Sequence, residues 1–449
     1  MLPALAALIC MAPPAARADS IKLPPSFPSR ADTIDTAGPY SLVPINPRLA
    51  AEPDVRPLAL NLPSESLTPE VLSEAGTYDF SCYRLTIHQE DFSEGGEANL
   101  AALGDIIQRI RRQGREVMLT LDSAGLDIPG FLVFFQQVYT AVGAEVKYFQ
   151  FLDNLNRHLG VSSYSYHELL GNIRQLRTEK GWDFTIVAGG ILGVDYQFIQ
   201  NLADAYVFER VDAIAFNLYP DAEHMEFPLR RSEVAPHSVH ACVQMVAQLA
   251  RYDKPVFVTD LGVSTAYAPL GVSQLDQASM LCRAALYLLQ GGVSRVFLHS
   301  LVDTGAETLK AQSYMGLYNV DGSPKPSAGA IRRLAWLLRA SYFIEPYYIF
   351  QMSNMFPAEG SPVFAYHIYR PAENAVYFTY VTTDMIMLDR YTNLVIYRTD
   401  MQAQELLNLL TGTASPSPCK AAGNLLLFNR LPLSHVPVSI KLQLEAPRG

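Results

Sequence analysis

The sequence predicts an α/β protein: a closed (β/α)8 barrel, the TIM barrel, followed by an antiparallel β-sandwich domain. Two observations carry this. From Arg56 the chain alternates short apolar runs with segments of helical periodicity over about 280 residues, the pattern of parallel strands each returned by a helix. After Arg339 the alternation stops, and short runs rich in Tyr, Val, Ile and Phe follow, separated by turn residues. An open doubly wound sheet is the competing fold, and it usually carries a glycine-rich phosphate turn after its first strand. Here that turn reads Pro63-Ser64-Glu65-Ser66, with no glycine.

Strands are expected at Leu58–Leu62, Phe80–His88, Glu116–Asp122, Lys147–Asn154, Thr185–Gly189, Asp212–Tyr219, Pro255–Asp260 and Arg295–Ser300. Each is a short apolar run, as strands buried on both faces must be. Helices such as Asn99–Gln113, Tyr166–Lys180, Ser238–Tyr252 and Gln274–Gln290 repeat apolar residues at three and four spacing. The barrel thus occupies residues 56–340 and the sandwich 341–449. In the sandwich, strands are expected at Pro346–Gln351, Pro362–Tyr369, Ala375–Val381, Asn393–Arg398, Asn424–Asn429 and Val436–Leu444, with one short helix near Ala403–Leu410.

Ahead of the barrel, residues 1–18 are apolar, then small, and end Ala16-Arg17-Ala18. They read as a signal peptide, although no Lys or Arg precedes the apolar run. Cys10 opens lipidation as an alternative, with Ile9 a poor match to the small residue usual before a lipidated cysteine. Residues 19–55 form a Pro-rich leader. The expectation is an exported protein, periplasmic, cell-surface or secreted. A net charge of −10 without a basic run argues against nucleic acid and anionic membranes as partners. No apolar run after the leader is long enough to span a bilayer. Cys82, Cys242, Cys282 and Cys419 are too widely spaced for a disulfide framework or a metal site. His237 and His240 lack a third ligand nearby, so neither metal nor cofactor is expected.

A barrel of this kind places its chemistry at the C-terminal ends of its strands. In order these read Asn61, Arg84 to His88, Asp122, Asp153/Asn154, Gly189/Gly190, Asn217/Tyr219, Asp260 and His299 to Asp303. The segments KPVFVTDLG (254–262) and VKYFQFLDNLN (146–156), with CYRLTI around Arg84, Ala188-Gly189-Gly190, VDAIAFNLYP and MGLYNVDGSPKPSAGAIRRL (315–334), resemble the clan A retaining glycoside hydrolases. The cellulase-like and xylosidase/iduronidase-like families belong to that clan. The resemblance implies that Asp260 stands where those enzymes keep a nucleophilic Glu. It also implies that Asp153, Asn154 and Leu155 stand where they keep Asn-Glu-Pro. Arg84 then falls where they hold the nucleophile ionised, and Asn217 takes the place of a His two residues before Tyr219.

The chemistry of those groups sets the functional expectation. A retaining mechanism needs two carboxyl groups about 5–5.5 Å apart, one as nucleophile and one as acid then base. Asn154 carries no titratable proton, and Asp260 is one methylene shorter than Glu, withdrawing its oxygen by about 1 Å, enough to cost about 10²-fold in a positioned site. Strand alternation turns Asp153 away from the side of Asn154. Asp260 has an alternative structural reading, as the partner of an Arg84 ion pair. Ligand contacts are expected from Arg84, Asn154, Asn217, Tyr219 and His299, and Tyr267, Tyr314 and His224 are further candidates for stacking or hydrogen bonding. Trp182 and Trp336 lie away from the strand ends, where packing is their expected role. The first functional expectation is a degenerate glycosidase that binds a carbohydrate or an envelope protein without hydrolysis. The alternatives are an active glycosidase using Asp260 as nucleophile or base with Asp153 or a loop carboxylate as acid, and a structural component of the envelope.

Overall fold

The computed structural model describes residues 42–44, 56–63, 67–92, 96–220, 238–267, 271–305, 310–344, 363–382, 390–397, 401–422, 425–433 and 436–444. The expected signal segment, most of the leader, His224, His237 and the strand expected at Pro346–Gln351 lie outside the described residues.

Eight parallel strands form the barrel: β1 (Leu58–Leu62), β2 (Cys82–His88), β3 (Glu116–Asp122), β4 (Tyr148–Phe151), β5 (Thr185–Val187), β6 (Ile214–Leu218), β7 (Val256–Leu261) and β8 (Arg295–His299). Neighbours pair in parallel register from β1 through β5, and from β6 through β7 and β8 back to β1. A two-residue strand, Ile191–Leu192, pairs with β6. A Val187↔Ala213 bridge then joins β5 to the residue before β6 and closes the ring. Outside run α1 (Pro69–Ala75), α2 (Gly96–Arg112), α3 (Ile128–Val142), α4 (Ser163–Lys180), α5 (Tyr196–Asp204), α6 (Val239–Leu249), α7 (Gln274–Gln290) and α8 (Pro326–Leu338). Their starts are fixed locally. Ser162 and Ser165 form a capping box at α4, and Asp195 and Ser273 cap α5 and α7 through backbone N–H groups. None of the helices is long and apolar enough to cross a membrane among the described residues.

Inside the ring the strands stack side chains in layers. Ala59, Cys82, Met118, Tyr148, Val187, Ala215, Phe257 and Phe297 make an apolar layer. Two residues further along, on the same pleat face, come Asn61, Arg84, Thr120, Gln150, Asn217, Thr259 and His299. The first six of these are almost fully buried. The switch from an apolar to a polar layer within one strand repeat places a site at the mouth.

The second unit packs two antiparallel sheets. One carries β9 (Tyr342–Ile344), β10 (Val363–Arg370), β11 (Ala375–Thr382), β13 (Met401–Asn408), β14 (Ala414–Pro416) and β17 (Val438–Leu444). The other carries β12 (Arg390–Tyr397), β15 (Cys419–Ala422) and β16 (Leu425–Leu433). Val376, Phe378 and Ile440 of the first meet Ile396, Leu426 and Phe428 of the second in one core, which makes it a β-sandwich. Leu42–Pro44 of the leader adds an edge strand against β9. The helix expected near Ala403–Leu410 is instead β13, paired along β17 with a register shift between Ala403 and Glu405. Its Gln, Glu and Leu content favours a helix, but pairing with a buried strand overrides that weak local preference.

The sandwich is clamped to the barrel through α8. Arg333 donates to the carbonyls of Leu409 (2.6 Å) and Leu410. Arg370 lies over the Trp336 ring, 3.9 Å from its centre, and donates to the Trp336 carbonyl. Trp336 therefore packs at the junction, and Trp182 stacks on Tyr139 beside α3.

One buried group makes the sandwich acid-sensitive. His367 on β10 is buried against Phe378, and burial pushes its imidazole pKa down to about 3. The folded state then binds no proton there while the unfolded chain does below its ordinary value near 6.5. Stability rises with pH through that window and is lost as pH falls from about 6.5 toward 3, by about 2 kcal/mol at pH 5. His367→Phe is expected to flatten the decline in denaturation midpoint between pH 7 and pH 5, and an unchanged slope would refute this assignment.

Candidate functional site

β4 ends at Phe151 because the backbone turns over. Leu152 has a φ of 65° and Asn154 a φ of 45°, both left-handed. A leucine there costs about 1–2 kcal/mol. The turn is held by Leu152 N–H to the Leu121 carbonyl, Asp153 N–H to Asp122 Oδ1 and Leu155 N–H to the Gly190 carbonyl. Strand alternation therefore stops before Asp153, contrary to the expectation that it faces away from Asn154. Asn217 Nδ2 donates to both residues, at 2.8 Å to Asp153 Oδ1 and 3.1 Å to Asn154 Oδ1. Room for Asn217 comes from Gly190, where any Cβ would lie about 2.5 Å from its amide.

Arg84 crosses the barrel beneath these residues. Its Nε donates to Thr120 Oγ1 and Gln150 Oε1, both at 2.9 Å, and its Nη2 meets Asp153 Oδ2 at 2.9 Å. Gln150 extends the belt to Thr259 and the Ala188 carbonyl, and Thr259 continues it to Asn217 Oδ1. Burial opposes the guanidinium charge, but Asp153 and then Asp260 more than offset it and hold the Arg84 pKa above its ordinary value.

Asp260 is gripped separately. A register shift between β6 and β7 turns both Thr259 and Asp260 into the mouth. Tyr219 donates to Asp260 Oδ2 at 2.8 Å, Asn61 donates to the same oxygen at 3.3 Å, and His299 Nδ1 lies 3.1 Å from Oδ1. Burial works to raise the Asp260 pKa, but His299, Arg84 and Tyr219 together hold it below the usual carboxylate value. Tyr219 is the converse case: burial, then Asp260 and Asp153, keep its phenol protonated and donating. The expected direct Arg84–Asp260 pair is thus replaced. Arg84 pairs with Asp153, and Asp260 takes His299, Tyr219 and Asn61.

Seven of the residues named from the sequence meet at this mouth in two adjoining clusters, Arg84, Asp153, Asn154 and Asn217 in one and Tyr219, Asp260 and His299 in the other. Thr120, Gln150 and Thr259 were not foreseen, although counting every second residue from the apolar layer would have found them. Asp122 sits beside the network with His88 Nδ1 and His158 Nε2 each 3.6 Å away. Burial and Asp153 raise its pKa. His158 follows β4 in a loop without a sequence signal.

No family model and no curated protein sequence matches this chain. Solved structures do. A family 39 glycoside hydrolase from Bacteroides cellulosilyticus WH2 superposes with a TM-score of 0.64 at 16% identity, over 87% of this chain and 81% of that one. An α-L-arabinofuranosidase from Thermotoga maritima gives 0.60 at 10% identity, over 90% and 100%. A glucosidase from Croceicoccus marinus gives 0.58 at 14% identity, over 91% and 99%. The fold is that of the clan A glycoside hydrolases. At these identities the likeness is one of fold: a glycosidase-like barrel with an appended β domain. The chemistry of this mouth rests on its own residues, an amide at Asn154 and two short carboxylates, Asp153 paired with Arg84 and Asp260 beside His299 and Tyr219.

Proposed function

We propose that the protein is an exported, glycosidase-like carbohydrate-binding protein whose barrel does not hydrolyse its ligand. One observation carries this reading. Asn154, at the position of the general acid, carries no titratable proton, and Asp153 beside it is taken up inside the protein, its Oδ2 in an ion pair with Arg84 and its Oδ1 accepting from Asn217. General-acid help, worth about 10²–10⁴ in rate, has no donor at that position. The mouth suits recognition, because Asn154 and Tyr219, both partly exposed, offer donors and acceptors that sugar hydroxyls can share. Export rests on the apolar residues 1–18 and their Ala16-Arg17-Ala18 ending.

The test is hydrolysis of a broad polysaccharide and aryl-glycoside panel, beside retention by the same polysaccharides in affinity electrophoresis, for the wild type and Asp260→Ala. The expected result is retention without turnover. Turnover that disappears in the variant would overturn the reading and make Asp260 catalytic. That second reading has its own support: the left-handed turn at Leu152 delivers Asp153 to the same amide as Asn154, giving the mouth two carboxylates.

A further inference from the structure

We infer that the barrel mouth binds a neutral, linear oligosaccharide longer than the carboxylate pocket, laid between two aromatic rims. The inference rests on the carbohydrate-binding reading above. Because all eight strands run parallel, every strand-to-helix connection opens at one mouth. Several of the exposed large apolar side chains lie in those connections. Leu159 and Tyr164 follow β4, Tyr196 opens α5 after β5, and Tyr267 follows β7, with exposures of 82, 74, 39 and 90%. An exposed tyrosine face with a polar edge is the surface that packs on the apolar face of a pyranose.

Each rim is joined to its neighbour by hydrogen bonds. After β4, Asn156 Nδ2 donates to the Leu192 carbonyl and to Asp195 Oδ2, and Asn156 Oδ1 accepts from Leu192 N–H. That joins the β4 and β5 connections on which Tyr164 and Tyr196 sit. After β7, Thr265 donates through N–H and Oγ1 to the Tyr314 carbonyl, and Ser264 Oγ donates to the Ala311 carbonyl. Val272 N–H donates to the Ser264 carbonyl.

Two arguments set the ligand class. β4 and β7 stand three strands apart around an eight-stranded ring, with Asp153, Asn217 and Asp260 at the mouth they share, so a ligand touching both rims must cross the pocket. Asp122, Asp153 and Asp260 face that mouth against Arg84, and the whole chain carries −10, which disfavours a polyuronate.

The test measures affinity of the full chain for gluco-, xylo- and manno-oligosaccharides from disaccharide to octasaccharide, with oligogalacturonates alongside. The wild type should bind more tightly as the neutral chain lengthens. Tyr164→Ala and Tyr267→Ala should each weaken the long ligands about 3- to 10-fold, leave the shortest bound ligand unchanged, and recover in Tyr164→Phe and Tyr267→Phe. Variants that keep the full length dependence, or preference for the oligogalacturonates, would overturn this inference while leaving carbohydrate binding intact. A wild type that binds no oligosaccharide of any length would overturn both.

Discussion

Replacing Arg84 with alanine is expected to destabilise the barrel by about 3–5 kcal/mol, the cost of leaving a buried charge without its partner. Arg84 is 1% exposed and its partner Asp153 is 14% exposed. Removing the guanidinium also leaves Thr120 and Gln150 without their shared donor. Arg84→Met, which restores the apolar volume, should recover little, because the loss lies in the unpaired carboxylate and amide rather than in packing. Asp153→Asn should be costly in its turn, since it strands the guanidinium. The double variant Arg84→Met/Asp153→Asn should lose less than the sum of the singles, with a coupling of about 1–3 kcal/mol. Urea denaturation followed by barrel tryptophan fluorescence reads all four. A single variant within about 1 kcal/mol of wild type would show that the pair only fills space.

The fold was legible because its two signals are physically distinct. A strand buried on both faces must be apolar, and a returning helix must be apolar at three and four spacing, so their alternation reads directly as a barrel. The candidate site was legible for a related reason: polar groups such as Arg84, Asn217 and Asp260 at the ends of apolar strands have no place in a core unless something holds them. Their pairing was not legible. Strand alternation assigned Asp153 to the wrong side because no residue type marks the left-handed turn at Leu152; glycine or asparagine would have, and a leucine does not. The switch of Arg84 from Asp260 to Asp153 follows from that turn. The helix expected at Ala403–Leu410 failed for the opposite reason, a clear local preference overridden by a distant partner, β17. Tyr267 could be named from its loop, but its exposure depends on hydrogen bonds that cross to the β8 connection.

Lys325→Met is expected to cost about 3–5 kcal/mol and, separately, to weaken long-chain glycan binding. Lys325 is fully buried where MGLYNVDGSPKPSAGAIRRL enters α8. Its Nζ donates to Asp303 Oδ1 and Thr265 Oγ1, both at 2.8 Å, and to the Tyr314 carbonyl at 3.3 Å. Burial lowers the Lys325 pKa and raises that of Asp303, so each charge is tolerated only because the other is present. Methionine keeps the stem and removes the charge, which strands Asp303 and frees Thr265 at the root of the Tyr267 loop. Lys325→Met/Asp303→Asn should recover much of the stability, because no buried charge is then left unpaired, yet Thr265 still lacks its donor. Stability and ligand length dependence should therefore separate in the double variant, the first returning and the second staying low. If both return together, Lys325 acts through the Asp303 charge alone, and the Tyr267 loop is held without it.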